Sequence, residues 1–297
     1  MEPTQVAVIG AGTMGARIAA VFAASGFKVA LYSRTENSLH NAAKVIDSID
    51  AGLTASVTFT TSMAECLKGA KIVSENIAEV LALKQQIFQE IEKHVSDDCL
   101  LTTNTSSVPV GQIASVLAVP SRFIGLHWFN PADVMPMVEI VCGPQTHENT
   151  RQQADALCQQ LGKQTVTIHK EAPGFIVNRL QYAMLREALH LVTAGIASIE
   201  DVDFAVQSTL APRWSAMGPL KLMDFAGLDT VKNVAAILLP ALSRDDELPP
   251  WLLAQIEQGN LGTKTGAGFY PWTAQTIEEG LAHRNATILA ISGMQKP

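Results

Sequence analysis

Three glycines set the first chemical expectation. In Gly10-Ala11-Gly12-Thr13-Met14-Gly15 they keep the spacing G-x-G-x-x-G, directly after the apolar run Val6-Ala7-Val8-Ile9 and before a helical stretch over 16–25. Gly10 permits a tight turn, Gly12 lets the backbone approach a pyrophosphate, and Gly15 lets the helix pack against the strand. With Thr13 and Met14 between them, the N–H groups of the helix start point at an anion. A second strand over 28–32 follows. This order predicts a bound dinucleotide; the plain alternative is a glycine-rich βα turn with no ligand.

The elements that must hold such a site recur along the first half of the chain. Strand-like runs fall at 57–60, 72–75, 100–103, 123–127, 137–142 and 165–169, with helical patterns such as 83–94 between several of them. Alternation of this kind predicts an α/β domain with a doubly wound, mainly parallel sheet of the Rossmann type. After Pro173-Gly174 the pattern turns helical, over 178–194, 198–208, a region across 217–239, and 250–258. The expectation is a dinucleotide-binding domain over 1–173 and an all-helical domain over 174–297 that closes the cleft at the carboxyl ends of the strands.

Composition narrows the partners. The 297 residues are 47% hydrophobic and 16% charged, which suits a folded chain of two domains. A net charge of −7 without a Lys/Arg cluster removes the footprint that nucleic acid or an anionic membrane surface requires. A small molecule is the expected partner. Cys66, Cys99, Cys142 and Cys158 are widely spaced, with no C-x-x-C pair and no neighbouring His to suggest zinc, so they read as reduced, buried thiols and no metal is expected. The first strand is expected to begin by Val6, so no signal peptide is expected, and no apolar run is long enough for a membrane span. A cytoplasmic location is expected.

Five further stretches occur in order: Asn104-Thr105-Ser106-Ser107, Gly125-Leu126-His127-Trp128-Phe129-Asn130-Pro131, Val138-Glu139-Ile140-Val141, Pro173-Gly174-Phe175-Ile176-Val177-Asn178-Arg179, and Gly262-Thr263-Lys264-Thr265-Gly266-Ala267-Gly268-Phe269-Tyr270. On these motifs the chain resembles the L-3-hydroxyacyl-CoA dehydrogenase family over nearly its whole length. The resemblance implies NAD(P)-dependent interconversion of alcohol and ketone at the carbon β to a carboxyl group, and a helical C-terminal domain that forms a homodimer. It also implies that His127 is the general base or acid, that Glu139 orients it, and that Ser106 and Asn178 contact the reacting oxygen. Glu79, Lys84 and Asn104 match positions that approach the cofactor.

The chemistry suits these residue types. Oxidising a secondary alcohol sends a hydride to the nicotinamide while the hydroxyl proton leaves, and imidazole titrates near neutral pH. A carboxylate beside the ring fixes its tautomer and stabilises the imidazolium. If the chain folds back as a hairpin after Trp128, residues symmetric about Asp133 face each other, which pairs His127 with Glu139. Outside the motifs, a strand-end His is ordinarily structural, Ser106 and Asn178 fit simple caps, and Glu79 and Lys84 fit a solvated helix face.

Two departures from the family bear on the ligands. Sites that choose NAD place an acid at the end of the second strand, where it binds the ribose 2′-hydroxyl. This chain has Ser33-Arg34 there, a pair suited to a 2′-phosphate, so NADP(H) is expected over NAD(H). Acyl-CoA members carry a long helical hairpin after the second strand; here 36–52 offers one helix, and Lys44 is the sole basic residue between Arg34 and Val57. The arm for coenzyme A is truncated. Arg213-Trp214-Ser215-Ala216-Met217-Gly218-Pro219 resembles the gulonate dehydrogenase (lambda-crystallin) and carnitine dehydrogenase branches, which use free hydroxy acids, and Arg213 suits bidentate binding of a carboxylate. The leading expectation is an oxidoreductase for a small free L-3-hydroxy acid. An ordinary short-chain 3-hydroxybutyryl-CoA dehydrogenase is the alternative, supported by the 262–270 motif, and a non-catalytic, crystallin-like NADP(H)-binding protein is the third reading.

Overall fold

The structure is a computed structural model that describes residues 4–294. Eight strands form one sheet: β1 (Gln5–Ile9), β2 (Lys28–Tyr32), β3 (Val57–Thr60), β4 (Ile72–Glu75), β5 (Leu100–Thr103), β6 (Phe123–Trp128), β7 (Met137–Val141) and β8 (Gln164–Ile168). Every run marked as a strand from the sequence is one, to within a residue at each end. The spatial order is β3-β2-β1-β4-β5-β6-β7-β8, with the first six parallel, β7 antiparallel to β6, and β8 parallel to β7. Chain order reverses at β1, which lies between β2 and β4. A crevice therefore opens beyond the carboxyl ends of β1 and β4.

Alternation along the strands builds a core on each face. Val6 and Val8 of β1 join one core with Ile18, Phe22, Leu39, Ile46 and Leu157, supplied by α1 (Thr13–Ala24), α2 (Glu36–Ile49) and α6 (Glu148–Gln160). Ala7 and Ile9 join the other with Leu67, Phe88, Ile91 and Ile113, supplied by α3 (Met63–Leu67), α4 (Leu81–Glu92) and α5 (Val110–Ala114). Each such buried Leu, Ile or Phe contributes about 1.5–3 kcal/mol. The central strands are buried on both faces, which is why they read as short, continuous apolar runs. Cys66, Cys99 and Cys158 lie in these layers as free thiols, and burial pushes each up to about 12.

The chain divides into two compact units, Met1–Asn178 and Arg179–Pro297. Helix α7 (Val177–Thr193) begins at the end of the first. The second holds α8 (Ile199–Ala205), α9 (Ala211–Ala216), α10 (Pro219–Ala226), α11 (Leu228–Ala241), α12 (Pro250–Glu257) and α13 (Ala274–Met294). The expected 198–208 helix runs through a π-helical turn at Val206–Leu210 into α9. The 217–239 region is two helices, because Gly227 turns the backbone at φ 88°. Helix α13 is absent from the sequence expectations; His283-Arg284-Asn285 interrupts its apolar residues and hides the periodicity. Among the described residues of this unit, Leu189 is the sole buried apolar side chain, while Phe204, Leu220, Phe225 and Ile237 are each at least 70% exposed. No helix among the described residues is long and apolar enough to cross a membrane.

Candidate active site

Because β1, β2, β4, β5 and β6 are parallel, their carboxyl ends share one edge of the sheet, and the glycine turn, Ser33, Asn104 and His127 lie at or just beyond those ends. At the end of β1, Gly10 adopts φ 106°, and a Cβ on it would stand 2.6 Å from the carbonyl oxygen of Asn76 beyond β4. A Cβ on Gly15 would stand 1.8 Å from the Gly10 oxygen, so neither position admits a side chain. Gly12 differs. Nothing lies within 4 Å of its would-be Cβ, and no side chain caps the start of α1. Thr13 is exposed and Met14 packs on the core, leaving the first-turn N–H groups directed outward. An uncapped helix start with open space over its middle glycine fits the pyrophosphate of a dinucleotide.

A buried ion pair shapes the next part of the edge. Glu75, at the end of β4, is 0% exposed and Lys84 on α4 is 1% exposed; the Lys84 ammonium lies 2.8 and 3.0 Å from the two Glu75 oxygens. Thr103 Oγ1 donates to Glu75 at 2.5 Å and the Ile77 amide at 2.7 Å. Lys84 also reaches Glu79 Oε2 at 3.2 Å. Lys84 therefore sits in the interior rather than on a solvated helix face, and any part it takes in binding acts through Glu79. The Glu79 carboxylate accepts from the Ser106 amide, the Ser107 amide (3.2 Å), Thr105 Oγ1 (3.1 Å) and Ser106 Oγ (2.9 Å). Burial by itself raises the Glu79 pKa, but the Ser106 and Lys84 interactions together outweigh it and hold the group below its ordinary value. Asn104, at the start of this loop, accepts from the Trp128 amide at 2.9 Å and so ties the ends of β5 and β6 together.

The antiparallel register of β6 and β7 pairs His127 with Glu139, as symmetry about Asp133 requires. Nδ1 of His127 lies 2.7 Å from Glu139 Oε2. The second Glu139 oxygen accepts from the amides of Ile176 (3.1 Å) and Val177 (2.9 Å), at the start of α7. Glu139 is 0% exposed. Burial works to raise its pKa, and the bonds from His127, Val177 and Ile176, with the charge an imidazolium carries, more than reverse that, so the group stays lowered. An ionised carboxylate only accepts. Nδ1 thus donates to Glu139. The rings of Phe129 and Phe175 meet the imidazole edge-on at 4.6 and 5.4 Å and shield it from water. Phe175 holds φ 52°, a left-handed backbone unusual for a bulky residue.

Asn178 is half-buried as the second residue of α7, next to Val177. Ser33 is half-buried at the end of β2, and Arg34 is exposed just beyond it. Arg213 lies in the second unit, exposed on α9, where its Nε donates to the Thr209 carbonyl at 2.9 Å. The Gly262–Tyr270 motif closes on itself through Gly262 N to Ala267 O (2.6 Å), and Tyr270 donates to Asp203 at 2.9 Å, so it packs the second unit internally. Three contributors escaped the sequence reading. Glu75 was legible as an acid ending an apolar strand. The Arg17–Asp133 pair, 2.5 Å, joins α1 to the loop between β6 and β7 and has no local signal. Lys163 holds the same loop by donating to the carbonyls of Ala132 and Met135, both at 2.8 Å.

Comparison with known proteins agrees with this geometry. The family description "3-hydroxyacyl-CoA dehydrogenase, NAD binding domain" matches residues 5–172, and "3-hydroxyacyl-CoA dehydrogenase, C-terminal domain" matches 174–272. The chain belongs to the 3-hydroxyacyl-CoA dehydrogenase family. Among members of that family, 5-formyl-3-hydroxy-2-methylpyridine 4-carboxylate 5-dehydrogenase of Mesorhizobium japonicum is 31% identical, with 96% of each chain covered. The crystal structure of an enzyme of that name, described as an NAD+ dependent dismutase, superposes with a TM-score of 0.92 over 98% of both chains at 30% identity. The 3-hydroxybutyryl-CoA dehydrogenase of Mycobacterium tuberculosis is 36% identical over 90% of this chain and 98% of its own. That of Ralstonia eutropha, 34% identical, superposes with a TM-score of 0.72, covering 91% and 99%. As a 3-hydroxyacyl-CoA dehydrogenase family member, the protein is an NAD-dependent oxidoreductase acting on a hydroxyl-bearing carbon.

The glycine turn separates folding from binding in this family member. Gly12→Ala is expected to fold with an unchanged Tm and to bind NADH at least about tenfold more weakly by calorimetry, since its methyl enters the ligand's space and not the protein's. Gly15→Ala is expected to lose folded protein altogether. Equal NADH affinity in Gly12→Ala overturns the placement of the pyrophosphate.

Proposed function

We propose that this 3-hydroxyacyl-CoA dehydrogenase family member interconverts a small, carboxylate-bearing hydroxy compound and its oxo form, without a coenzyme A handle. The observation that carries the reading is the connection between β2 and β3. Helix α2 and a single 3-10 turn, Leu53–Ser56, are its only helical elements among the described residues, so the second helix of a coenzyme A arm has no place there. The full-length likeness to the pyridine carboxylate dehydrogenase, whose name states a small free acid, supports the same choice. The alternative, a short-chain acyl-CoA thioester, is favoured by the higher identity, 36%, to 3-hydroxybutyryl-CoA dehydrogenases.

In the proposed reaction the substrate hydroxyl gives its proton to Nε2 of His127. Glu139, bonded to Nδ1, stabilises the imidazolium as it forms, and the buried, aromatic surroundings keep that charge pair from being screened. Gly10, Gly12, Thr13, Met14 and Gly15 hold the pyrophosphate of the dinucleotide, whose nicotinamide accepts the hydride when bound. Ser106 and Asn178 line the place of the reacting oxygen, and Glu79, Lys84 and Asn104 set the loop that carries Ser106. In the reverse direction protonated His127 returns its proton to the carbonyl oxygen. Arg213 binds the substrate carboxylate. Arg34 recognises a 2′-phosphate, which favours NADP(H); the family description and the dismutase neighbour name NAD. A homodimer covers the exposed apolar side chains of the helical unit, Phe204, Leu220, Phe225 and Ile237 among them.

Kinetics following nicotinamide absorbance, with a panel of hydroxy acids, hydroxymethyl aromatic acids and 3-hydroxybutyryl-CoA, test the substrate class. A free acid is expected to be oxidised with kcat/KM at least about a hundredfold above the thioester, and the opposite ranking restores the acyl-CoA reading. His127→Gln is expected to lower kcat by about 10²–10⁴ with KM little changed, and full activity in that variant removes the acid–base role. Arg213→Ala is expected to raise KM for the accepted acid; an unchanged KM for every acid removes the carboxylate role. Arg34→Ala is expected to lower kcat/KM for NADPH but not for NADH, and a wild-type preference for NADH contradicts the 2′-phosphate contact. Light scattering is expected to give twice the chain mass, and a monomer excludes the dimer.

A further inference from the structure

The glycine turn and the His127–Glu139 pair stand on strands that are not neighbours. β4 and β5 lie between β1 and β6, so three strand spacings, about 14 Å, separate the end that carries Gly10 from the end that carries His127. A more direct link crosses one face of the sheet. Asp133 is the midpoint of the chain between His127 and Glu139, and its Oδ1 lies 2.5 Å from Nη1 of Arg17, one turn into α1. Both side chains are largely buried, at 17% and 24% exposure. Arg17 Nε is buried without a hydrogen-bond partner, and Asp133 is the guanidinium's one ion-pair partner among the described residues. This contact, and no wider network, seats the arginine.

Other contacts already fold the same loop. Lys163 donates to the carbonyls of Ala132 and Met135, its ammonium stands 5.9 Å from the centre of the Trp128 ring, and that ring packs on Phe22 of α1 at 6.4 Å. Apolar packing of rings is not directional, whereas a charge-assisted hydrogen bond fixes one atom against another. We propose that Arg17 and Asp133 are positioning residues for the hydride transfer. The pair ties the hairpin that presents His127 and Glu139 to the helix whose start receives the pyrophosphate, and so sets the base against the cofactor; this rests on the active site described under Proposed function. A displacement of about 1 Å between reacting groups costs up to about a hundredfold in rate, with no change of fold.

Charge and tethering part company in the two single variants. Arg17→Gln removes a positive charge near the start of α1 and Asp133→Asn a negative one, so an effect through the field moves NADH affinity in opposite directions. A tether gives the same loss in both. Lys163 and Trp128 still hold the loop, so each variant is expected to fold with a Tm within about 5 °C of wild type. Stopped-flow single turnovers use NAD+ with the best accepted of 3-hydroxybutyrate, hydroxymethylbenzoate and 3-hydroxybutyryl-CoA. Hydride transfer is expected to slow about tenfold in each variant and no further in the double variant, with NADH affinity by calorimetry held within about twofold. Arg17→Lys, which keeps a charged donor, is expected to stay within about threefold of wild type. Hydrogen exchange gives a reading without turnover. ADP-ribose fills the glycine turn but carries no nicotinamide, and it is expected to slow exchange of the Val134 and Met135 amides, which bond to Pro131, at least about threefold in wild type and not in Arg17→Gln. Unchanged hydride transfer in both single variants, additive losses, opposite shifts in NADH affinity, or equal protection by ADP-ribose in wild type and Arg17→Gln overturns the inference. His127→Gln keeps the two levels apart: full turnover in it fails the active-site reading itself, whereas its loss of turnover beside unchanged hydride transfer in Arg17→Gln and Asp133→Asn sinks the tether alone.

Discussion

A carboxylate with no exposure to water governs this molecule. Taken out of solvent, the charge on Glu139 is costly unless every lone pair is engaged, and three donors engage it: the His127 ring and the amides of Ile176 and Val177. Removing one partner of such a buried arrangement costs about 3–5 kcal/mol. The same interaction fixes the imidazole tautomer, locks the β6–β7 register, and sets where α7 begins. Stability and local geometry are thus written into one group. The site does not rest on a weak surface contact that fluctuates away.

Glu75 and Glu79 repeat the arrangement at the neighbouring strand ends. Lys84 neutralises both from the interior, and the backbone of the Ser106 loop is drawn onto Glu79 by its own amides. His127 and Ser106 are thus each held by a buried or half-buried carboxylate, Glu139 on the antiparallel β7 and Glu79 in the loop between β4 and α4. Parallel topology makes this possible, because it delivers five strand ends to one edge without long loops.

How much of this the amino-acid order revealed depends on the range of the interactions. Strands buried on both faces declare themselves as apolar runs, and the G-x-G-x-x-G turn carries its own steric logic, so the sheet and the glycine turn were readable. The opposition of His127 and Glu139 followed from a hairpin whose two arms are close in sequence. Glu75 and Lys84 were harder, since an acid at a strand end and a basic residue on a helix look solvated until the packing is known. Arg17 and Asp133, more than a hundred residues apart, gave no local sign. The helices of the second unit were blurred for another reason: with so many apolar side chains left exposed, no single buried stripe marks each helix or its ends.

Phe175 shows how such a site resists improvement. Its left-handed backbone costs roughly 1–2 kcal/mol for a residue with a Cβ, and glycine would relieve that at once. Yet the side chain that makes the conformation uncomfortable is the ring that walls off the imidazole. Backbone relief and cover for the imidazole are accordingly opposed at this one position, and glycine would gain the first only by giving up the second.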